Sequence, residues 1–208
     1  MRVRAVGADA LLLEVDDPAA WFAELWRRRD AGELAVTEIV PGARTVLLDG
    51  LADPAATGEA VRHWTLTDAT DLTDATDETN KVERTVEIAV SFDGPDLPFV
   101  AGRWDTDEAG VIARLTGTPL HVAFCGFSPG FAYLAGLPPE LAVPRLETPR
   151  HRVPAGSVAL ADTYTGIYPT ASPGGWRLVG HTDAALFEPD RDPPALLTPS
   201  TRVRLVQT

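Results

Sequence analysis

The chain has 208 residues, 45% of them hydrophobic, and a formal net charge of −12. This length accommodates one large domain or two small ones, and the apolar fraction is sufficient to fill a core. The acidic balance, with Lys81 as the single lysine, argues against nonspecific binding to nucleic acid, because the phosphates would be repelled. We therefore expect no nucleic-acid partner.

Neither a membrane span nor a disulfide is expected. The longest apolar runs, residues 10–13 and 122–125, are too short to cross a bilayer, and the first residues lack the apolar core of a signal peptide. We therefore predict a cytoplasmic address. Cys125 is the only cysteine, so no intrachain disulfide is possible, and its apolar surroundings predict a buried small hydrophobe.

Residues 1–64 are predicted to form a small α+β domain. An apolar run at 11–15 precedes Asp17 and Pro18, an N-cap followed by proline at the first helical position. The pattern predicts a helix over residues 18–31 that ends at Gly32. Its four large apolar residues are expected on one core-facing side; they are Trp21, Phe22, Leu25 and Trp26.

Two strands, at 35–40 and 44–48, are predicted to follow this helix around a Pro-Gly turn. Residues 65–81 are predicted to be an acidic linker rich in Thr and Asp, because the hexapeptide Leu-Thr-Asp-Ala-Thr-Asp occurs at 66–71 and again at 72–77. Beyond it, apolar residues alternate over 82–91, which predicts the first strand of a second domain over residues 82–208.

The second domain is predicted to be mainly β-structure. Asp105 and Glu108 suggest the N-terminal cap of a helix over 106–115, closed by Gly117. Short apolar segments separated by turn residues then predict a compact barrel or sandwich. These segments are 121–127, 157–161, 176–179 and 202–206.

The region from His121 to His181 is the most informative part of the chain. It holds eight Gly and eight Pro in 61 residues, so fixed turns shape its backbone. Four arginines also lie here in an otherwise acidic protein: Arg145, Arg150, Arg152 and Arg177. Arginine grips a carboxylate or phosphate with two parallel hydrogen bonds, which favours an anionic ligand.

The residues alone leave other roles open for these side chains. The arginines would also suit capping of carbonyl groups or surface pairs with Glu147. His151, between two arginines, would serve either as a neutral hydrogen-bond donor or as a spacer. Composition alone therefore leaves both roles open for the arginines and both roles open for His151.

Three common types of site are disfavoured by the sequence. Gly126 to Gly130 match the G-x-S-x-G pattern of serine hydrolases, but Pro129 has no N–H for an oxyanion hole, so we do not expect Ser128 to be a nucleophile. The four histidines are dispersed and there is one cysteine, so no metal site is expected. No Walker loop is present to bind ATP.

A series of ordered motifs resembles the family of 5-oxoprolinase B subunits, also described as KipI-type kinase inhibitors and as the first subunit of allophanate hydrolase. The motifs are GFSPGFAYL at 126–134, PR at 144–145, TPR at 148–150, RVPAGSV at 152–158, TGIYP at 165–169 and SPGGW at 172–176. The sequence departs from the family pattern at four residues. They are Ala159, Asp162, Tyr164 and His181.

The resemblance implies an α+β fold, with a ferredoxin-like first domain and a cyclophilin-like β-barrel. It implies one component of an ATP-dependent 5-oxoprolinase, which works with a homologous C subunit, itself a cyclophilin-like barrel, and with an A subunit. ATP is then used by the complex and is not held tightly by this chain. The alternatives are a KipI-type inhibitor of a sensor histidine kinase, or half of a carboxyltransferase of the urea carboxylase or allophanate hydrolase type.

Site residues follow from the same resemblance, while the catalytic residue stays unassigned. Those expected to bind a small anionic substrate are Arg145, Arg150, Arg152, Tyr133, Ser157 and Tyr168. Those expected to shape the loops are Gly126, Pro129, Gly130, Gly156, Gly166, Pro173, Gly174 and Gly175. Each arginine has a structural role in closing the barrel as its alternative.

Overall fold

A computed structural model describes residues 1–66, 85–199 and 201–208 of the protein. The chain forms two compact units, Met1–Val82 and Glu83–Thr208. The predicted linker lies outside the described residues from residue 67 onward, as do residues 82–84 of the predicted strand. Within the described residues, no helix is both long enough and apolar enough to cross a membrane.

The elements of the first unit are strands β1 (Arg2–Val6) and β2 (Ala10–Glu14), helix α1 (Pro18–Asp30), strands β3 (Glu38–Pro41) and β4 (Thr45–Asp49), and helix α2 (Pro54–His63). The strands form one antiparallel sheet in the order β1-β2-β4-β3. The sheet and helices enclose a common apolar core. Its fully buried members include Leu13, Leu25, Val46, Leu48 and Val61.

Helix α1 confirms the predicted start, because the Asp17 carboxylate accepts a hydrogen bond from the Ala20 N–H at 2.9 Å. The prediction for its apolar face was wrong at one residue. Trp21 and Leu25 are buried, whereas Trp26 is exposed and lies under the Arg29 guanidinium. Trp26 is five positions beyond Trp21, which turns it about 140° away around the helix.

The elements of the second unit are strand β5 (Thr85–Val90), helices α3 (Leu97–Arg103) and α4 (Glu108–Gly117), then strands β6 (Leu120–Cys125), β7 (Ala132–Ala135), β8 (Arg150–Val153), β9 (Ser157–Ala161), β10 (Tyr164–Ile167), β11 (Ser172–Gly174), β12 (Arg177–His181) and β13 (Arg202–Gln207). A 3₁₀ turn, Pro139–Leu141, lies between β7 and β8. The four strands predicted after α4 are therefore confirmed, β9 with the predicted ends and β6, β12 and β13 with shifted ends.

Seven strands of this unit form one sheet in the order β12-β9-β10-β7-β6-β13-β5, and β8 pairs separately with β11. The sheet is antiparallel except where β13 runs parallel to β5. Its two edges meet, because Ser91 and His181 exchange two backbone hydrogen bonds of 2.9 Å each. The sheet is thus a nearly closed barrel, as the predicted cyclophilin-like fold requires.

The two faces of this sheet carry different cores. Along β9, Val158 and Leu160 belong to a large aliphatic cluster that also includes residues of α3 and α4. The alternate residues Ala159 and Ala161 belong to a second cluster with several aromatic rings. This division follows from the two-residue period of a strand, and it separates the stabilising core from the face with polar and aromatic groups.

Helix α4 begins two residues later than predicted. Asp107 is its N-cap and accepts a hydrogen bond from the Gly110 N–H at 2.7 Å. Asp105 instead has a φ of 49°, a left-handed conformation that ends the preceding segment. Aspartate is among the few residues that adopt it at modest cost.

Replacement of Asp107 by Ala is therefore expected to lower the free energy of unfolding by about 1 kcal/mol, through loss of the cap. Asp105→Asn is the matched control, because asparagine also tolerates a positive φ. Urea denaturation of both variants measures the difference. Equal stability of the two variants would contradict the cap assignment.

Candidate functional site

A pocket of about 490 Å³ opens beside β8, β9 and β12 in the second unit. We call it the arginine pocket, because Arg150 and Arg152 line it together with Ser157, His181 and Asp93. Three of the six predicted substrate-binding residues therefore lie together. The volume is that of a site for a small molecule.

Arg150 is held in place by protein groups. Its Nη2 donates to the Asp96 carboxylate at 2.8 Å, and its Nη1 donates to the Trp176 carbonyl at 3.2 Å. A guanidinium has five N–H donors, so these two bonds orient Arg150 and leave donors for a ligand. Both of its predicted roles, anion binding and structure, are compatible with this geometry, and the structural role is observed.

Asp96 organises this region from a nearly buried position, with 7% of its surface exposed. Besides Arg150, its carboxylate accepts a hydrogen bond from the Leu178 N–H at 2.6 Å and lies 3.7 Å from Arg177 Nη1. Arg177 also stacks over the Phe99 ring at 3.7 Å. One carboxylate thus links the start of α3 to β8 and β12.

Arg152 differs from Arg150, because within the part of the chain that the structure describes its side chain makes no ion pair or hydrogen bond. Its side chain is exposed at the arginine pocket. His151, between the two arginines, is exposed and does not line the pocket. Successive residues of a strand point to opposite faces, which favours the spacer interpretation of His151.

His181 and Asp93 close one side of the arginine pocket. The Nδ1 atom of His181 lies 2.8 Å from the Asp93 carboxylate, and both side chains remain about half exposed or more. Ser157 is the cross-strand partner of His181. These three polar side chains converge at the place where the edges of the sheet meet.

Arg145 does not line the arginine pocket, so the structure brings together only two of the three arginines expected to bind an anion, and the role of Arg145 stays a prediction. It lines a separate hollow with Arg103 and Asp162, and its guanidinium lies 5.9 Å from the Trp176 ring. Pro144 accepts a hydrogen bond from Arg177, which fixes the segment carrying Arg145. Arg145 and Arg150 are therefore close in sequence but line different hollows.

Tyr133 and Tyr168 belong to the aromatic face of the sheet instead. Tyr133 stacks on Phe124 with centroids 4.2 Å apart, and Phe131 contacts both tyrosines edge to face. Burial raises the pKa of Tyr168, while a backbone hydrogen bond with Trp176 opposes the change. The Tyr168 hydroxyl stays protonated near neutral pH and is packed within this face.

The G-x-S-x-G segment forms a turn rather than a nucleophile elbow, as predicted. Among the described residues, the Ser128 hydroxyl is buried without a hydrogen-bond partner, and the next element is strand β7. The turn is strained at Phe127, which has a φ of 69° and is 61% exposed. Gly130 has a φ of 81° and packs against Leu186 and Phe187, so glycine is needed there.

The other loop residues divide into required and replaceable glycines. Gly156 has a φ of 79°, and a side chain on Gly174 would collide with Tyr168. Gly126 and Gly175 have only ordinary contacts at the Cβ position, so the structure gives no steric reason for glycine at these two residues. Pro129 lies in the strained turn, and Pro173 lies in β11.

Cys125 is partly buried, and its Sγ donates to the Leu197 carbonyl at 3.7 Å. Burial raises the pKa of this thiol, which keeps it protonated and unreactive. Among the described residues, no group of three or more His, Cys, Asp and Glu is placed to hold a metal ion.

Sequence reasoning missed Asp96 and the pair of Asp93 and His181 as parts of the site. Asp96 directly precedes a short helix, a position where an aspartate usually caps. Here its side chain makes no cap hydrogen bond, because it is committed to Arg150 and Leu178. Only the tertiary fold brings these distant segments together.

Comparisons with known proteins agree with this architecture. A family described as carboxyltransferase domain, subdomain C and D, matches residues 1–197. The B subunit of 5-oxoprolinase from Escherichia coli O157:H7 is 37% identical over 216 aligned residues, which cover 99% of this chain and 95% of that protein. The chain belongs to the family of 5-oxoprolinase B subunits.

Solved structures related to this family share its fold. The crystal structure of TTHA0988 matches with a TM-score of 0.75 and 32% identity, covering 100% of this chain and 40% of that chain. The urea amidolyase of K. lactis matches with a TM-score of 0.70 and 19% identity, covering 99% of this chain and 15% of that one. The chain thus spans two fifths or less of these two larger proteins.

In this family member, Asp96→Ala is expected to lower the free energy of unfolding by about 3 kcal/mol, because it leaves Arg150 and the Leu178 N–H without their partner. Glu87→Ala is the control, since the pair of Glu87 and Arg204 is exposed and contributes at most about 1 kcal/mol. Chemical denaturation of Asp96→Ala and Glu87→Ala measures the loss of unfolding free energy in each variant. Equal losses would contradict the central role of Asp96.

Gly166→Ala is expected to destabilise the second unit by about 1–3 kcal/mol through overpacking. An added Cβ would lie 2.7 Å from the Phe131 ring and 2.8 Å from the Trp176 ring. Gly117→Ala, in a helix with open space around it, is expected to be stabilising by up to about 1 kcal/mol. Thermal unfolding of the two variants should therefore shift in opposite directions.

Proposed function

We propose that this chain is one component of an ATP-dependent 5-oxoprolinase, which hydrolyses the lactam of 5-oxoproline to glutamate together with partner subunits. The observation that carries the proposal is the 37% identity to the B subunit of a 5-oxoprolinase over nearly the full length of both chains. The arginine pocket supports it, because 5-oxoproline is a small carboxylate.

The arginine pocket supplies groups for such a substrate. The Arg152 guanidinium has no protein partner among the described residues, and Arg150 is already oriented by Asp96 and the Trp176 carbonyl. A carboxylate between the two arginines would form charge-assisted hydrogen bonds in two directions. The hydroxyl of Ser157, which lines the same pocket, suits the lactam oxygen or nitrogen.

ATP belongs to the complex in this proposal. The sequence has no Walker loop, and in the described residues neither α3 nor α4 follows the glycine-rich turn of a phosphate-binding helix. ATP supplies a phosphoryl group that activates the lactam oxygen, so that water attacks the ring carbon. This chain binds and orients the lactam, and the A and C subunits supply the remaining machinery.

The first unit is ferredoxin-like in this proposal. Its order β1-β2-β4-β3, with α1 between β2 and β3 and α2 after β4, supports that fold with one difference. The edge strand β1, which pairs with β2, comes before the two helices in sequence, whereas the corresponding strand of a ferredoxin-like domain comes after them. We regard the unit as a permuted member of the ferredoxin-like group.

A carboxyl-transfer role is the second candidate. The matching family is described as a carboxyltransferase domain, and the fold is shared with a urea amidolyase. A carboxyltransferase requires a biotinylated carrier, whereas the 5-oxoprolinase does not. Dependence of the reaction on added biotinyl carrier protein separates the two candidates.

The direct test is release of glutamate from 5-oxoproline with ATP, first with this chain alone and then with candidate A and C subunits added. Activity only in the mixture is the expected result. No activity in a mixture that forms a stable complex would contradict the proposed function and favour the carboxyl-transfer candidate.

Within the active mixture, Arg152→Gln is expected to raise the KM for 5-oxoproline by about 10- to 100-fold, equivalent to the loss of about 1.5–3 kcal/mol from a charge-assisted bond. Arg204→Gln is the matched control, because Arg204 is an exposed arginine on β13. Arg150→Ala is a poorer test, since it also removes the partner of Asp96. An unchanged KM for Arg152→Gln would place the substrate elsewhere.

A further inference from the structure

The pair of Ser157 and His181 has a geometry beyond simple ligand binding. The two residues are direct partners across β9 and β12. Neither uses its backbone groups for the other, because His181 exchanges hydrogen bonds with Ser91, while Ser157 bonds to Pro154 and Tyr168. They are therefore a non-hydrogen-bonded antiparallel pair, the type in which opposite side chains lie closest, with Cβ atoms about 4.5–5.5 Å apart.

Asp93 determines which nitrogen of His181 is available. Its carboxylate lies 2.8 Å from Nδ1, and an ionised carboxylate only accepts hydrogen bonds. In the neutral imidazole, this contact places the proton on Nδ1 and leaves a free lone pair on Nε2. A histidine arranged in this way is ready to accept a proton from a nearby hydroxyl.

Ser157 provides such a hydroxyl inside the arginine pocket. The residue is 5% exposed and lines the same pocket as His181 and Asp93. Its hydroxyl makes no hydrogen bond with the described residues, yet it is not one of the fully enclosed hydroxyls without a partner, so it can be reached from the pocket. Ser128, the serine of the G-x-S-x-G segment, is one of those enclosed hydroxyls.

We infer that Ser157, His181 and Asp93 form an acyl-transfer site whose substrates are esters with a carboxylate on the acyl chain. Ser157 Oγ attacks the ester carbonyl carbon while its proton moves to His181 Nε2. The Oγ–C bond forms, the C–O bond to the alcohol breaks, and His181 returns the proton to the departing alcohol. Water then repeats these steps on the acyl-serine and releases the dicarboxylic acid.

The preference for a carboxylate comes from Arg152, whose guanidinium is exposed in the same pocket without a protein partner among the described residues. Asp93 does not touch the substrate and acts as a positioning residue. This activity needs neither ATP nor partner subunits, so its failure is distinguishable from failure of the proposed 5-oxoprolinase function.

The first experiment exposes the full purified chain to a fluorophosphonate, which reacts with activated serines, and maps the modified residue by mass spectrometry. Modification of Ser157 is expected. Ser157→Ala should abolish it, while Ser128→Ala should leave it unchanged and serves as the matched serine control. Absence of modification, or modification of another serine alone, would overturn the inference.

Hydrolysis of the mono-4-nitrophenyl ester of glutaric acid is the second measurement, with 4-nitrophenyl acetate for comparison. The glutarate ester is expected to be the better substrate, and Arg152→Gln should remove that preference. His181→Ala should lower the rate by about 100-fold or more, with partial recovery on addition of imidazole. Recovery by imidazole separates a proton-transfer role from a structural one.

Asp93→Asn tests the positioning role. The amide oxygen or nitrogen of asparagine can face Nδ1, and an amide that donates to Nδ1 places the proton on Nε2, which then cannot accept one from Ser157. The expected result is a lower kcat with little change in KM for the glutarate ester. Equal kcat values for wild type, Asp93→Asn and Asp93→Ala, with all three chains folded by circular dichroism, would contradict the role of Asp93.

Discussion

The carboxylate of Asp96 joins three segments that are far apart in sequence, and the geometry of the arginine pocket depends on it. It receives Arg150 from β8 and the Leu178 N–H from β12 at 2.8 and 2.6 Å. A nearly buried charge is tolerated only when it is paired and hydrogen-bonded. The same residue that stabilises the fold therefore fixes the direction in which the Arg150 guanidinium faces the arginine pocket.

The barrel keeps these polar groups apart from its main core. Helices α3 and α4 pack against one face of the sheet with aliphatic residues, while the opposite face carries the aromatic cluster. Pocket residues such as Ser157 and His181 lie where the edges of the sheet meet. Where the sheet edges meet, β12 has a bulge near Gly180, and a Cβ on this glycine would lie 2.4 Å from the Ser91 carbonyl. The close approach of the β12 backbone to Ser91 brings residues of β9, β12 and the segment after β5 together.

Local signals predicted the elements better than they predicted the site. An aspartate N-cap followed by proline predicted the start of α1. Asp53 and Pro54 form the same pair at the start of α2, where the Asp53 carboxylate accepts a hydrogen bond from the Ala56 N–H at 2.9 Å. Helix α2 was therefore equally predictable from the sequence. Asp96 could not be interpreted in this way, because Arg150 is more than fifty residues away. Arg145 and Arg150 are close in sequence but lie in different hollows. Arg150 is the first residue of β8, whereas Arg145 lies in the segment before that strand.

The parallel pairing of β13 with β5 has a consequence for how the second unit folds. β13 lies between β5 and β6, and it pairs Arg202 with Thr85 across more than a hundred residues of sequence. Such non-local pairing raises contact order and slows folding, because loop-closure entropy must be overcome before the contacts form. Until β13 pairs with them, β5 and β6 each have an unpaired edge, which favours association between chains. The barrel therefore becomes protected from aggregation only when its most distant strand is inserted.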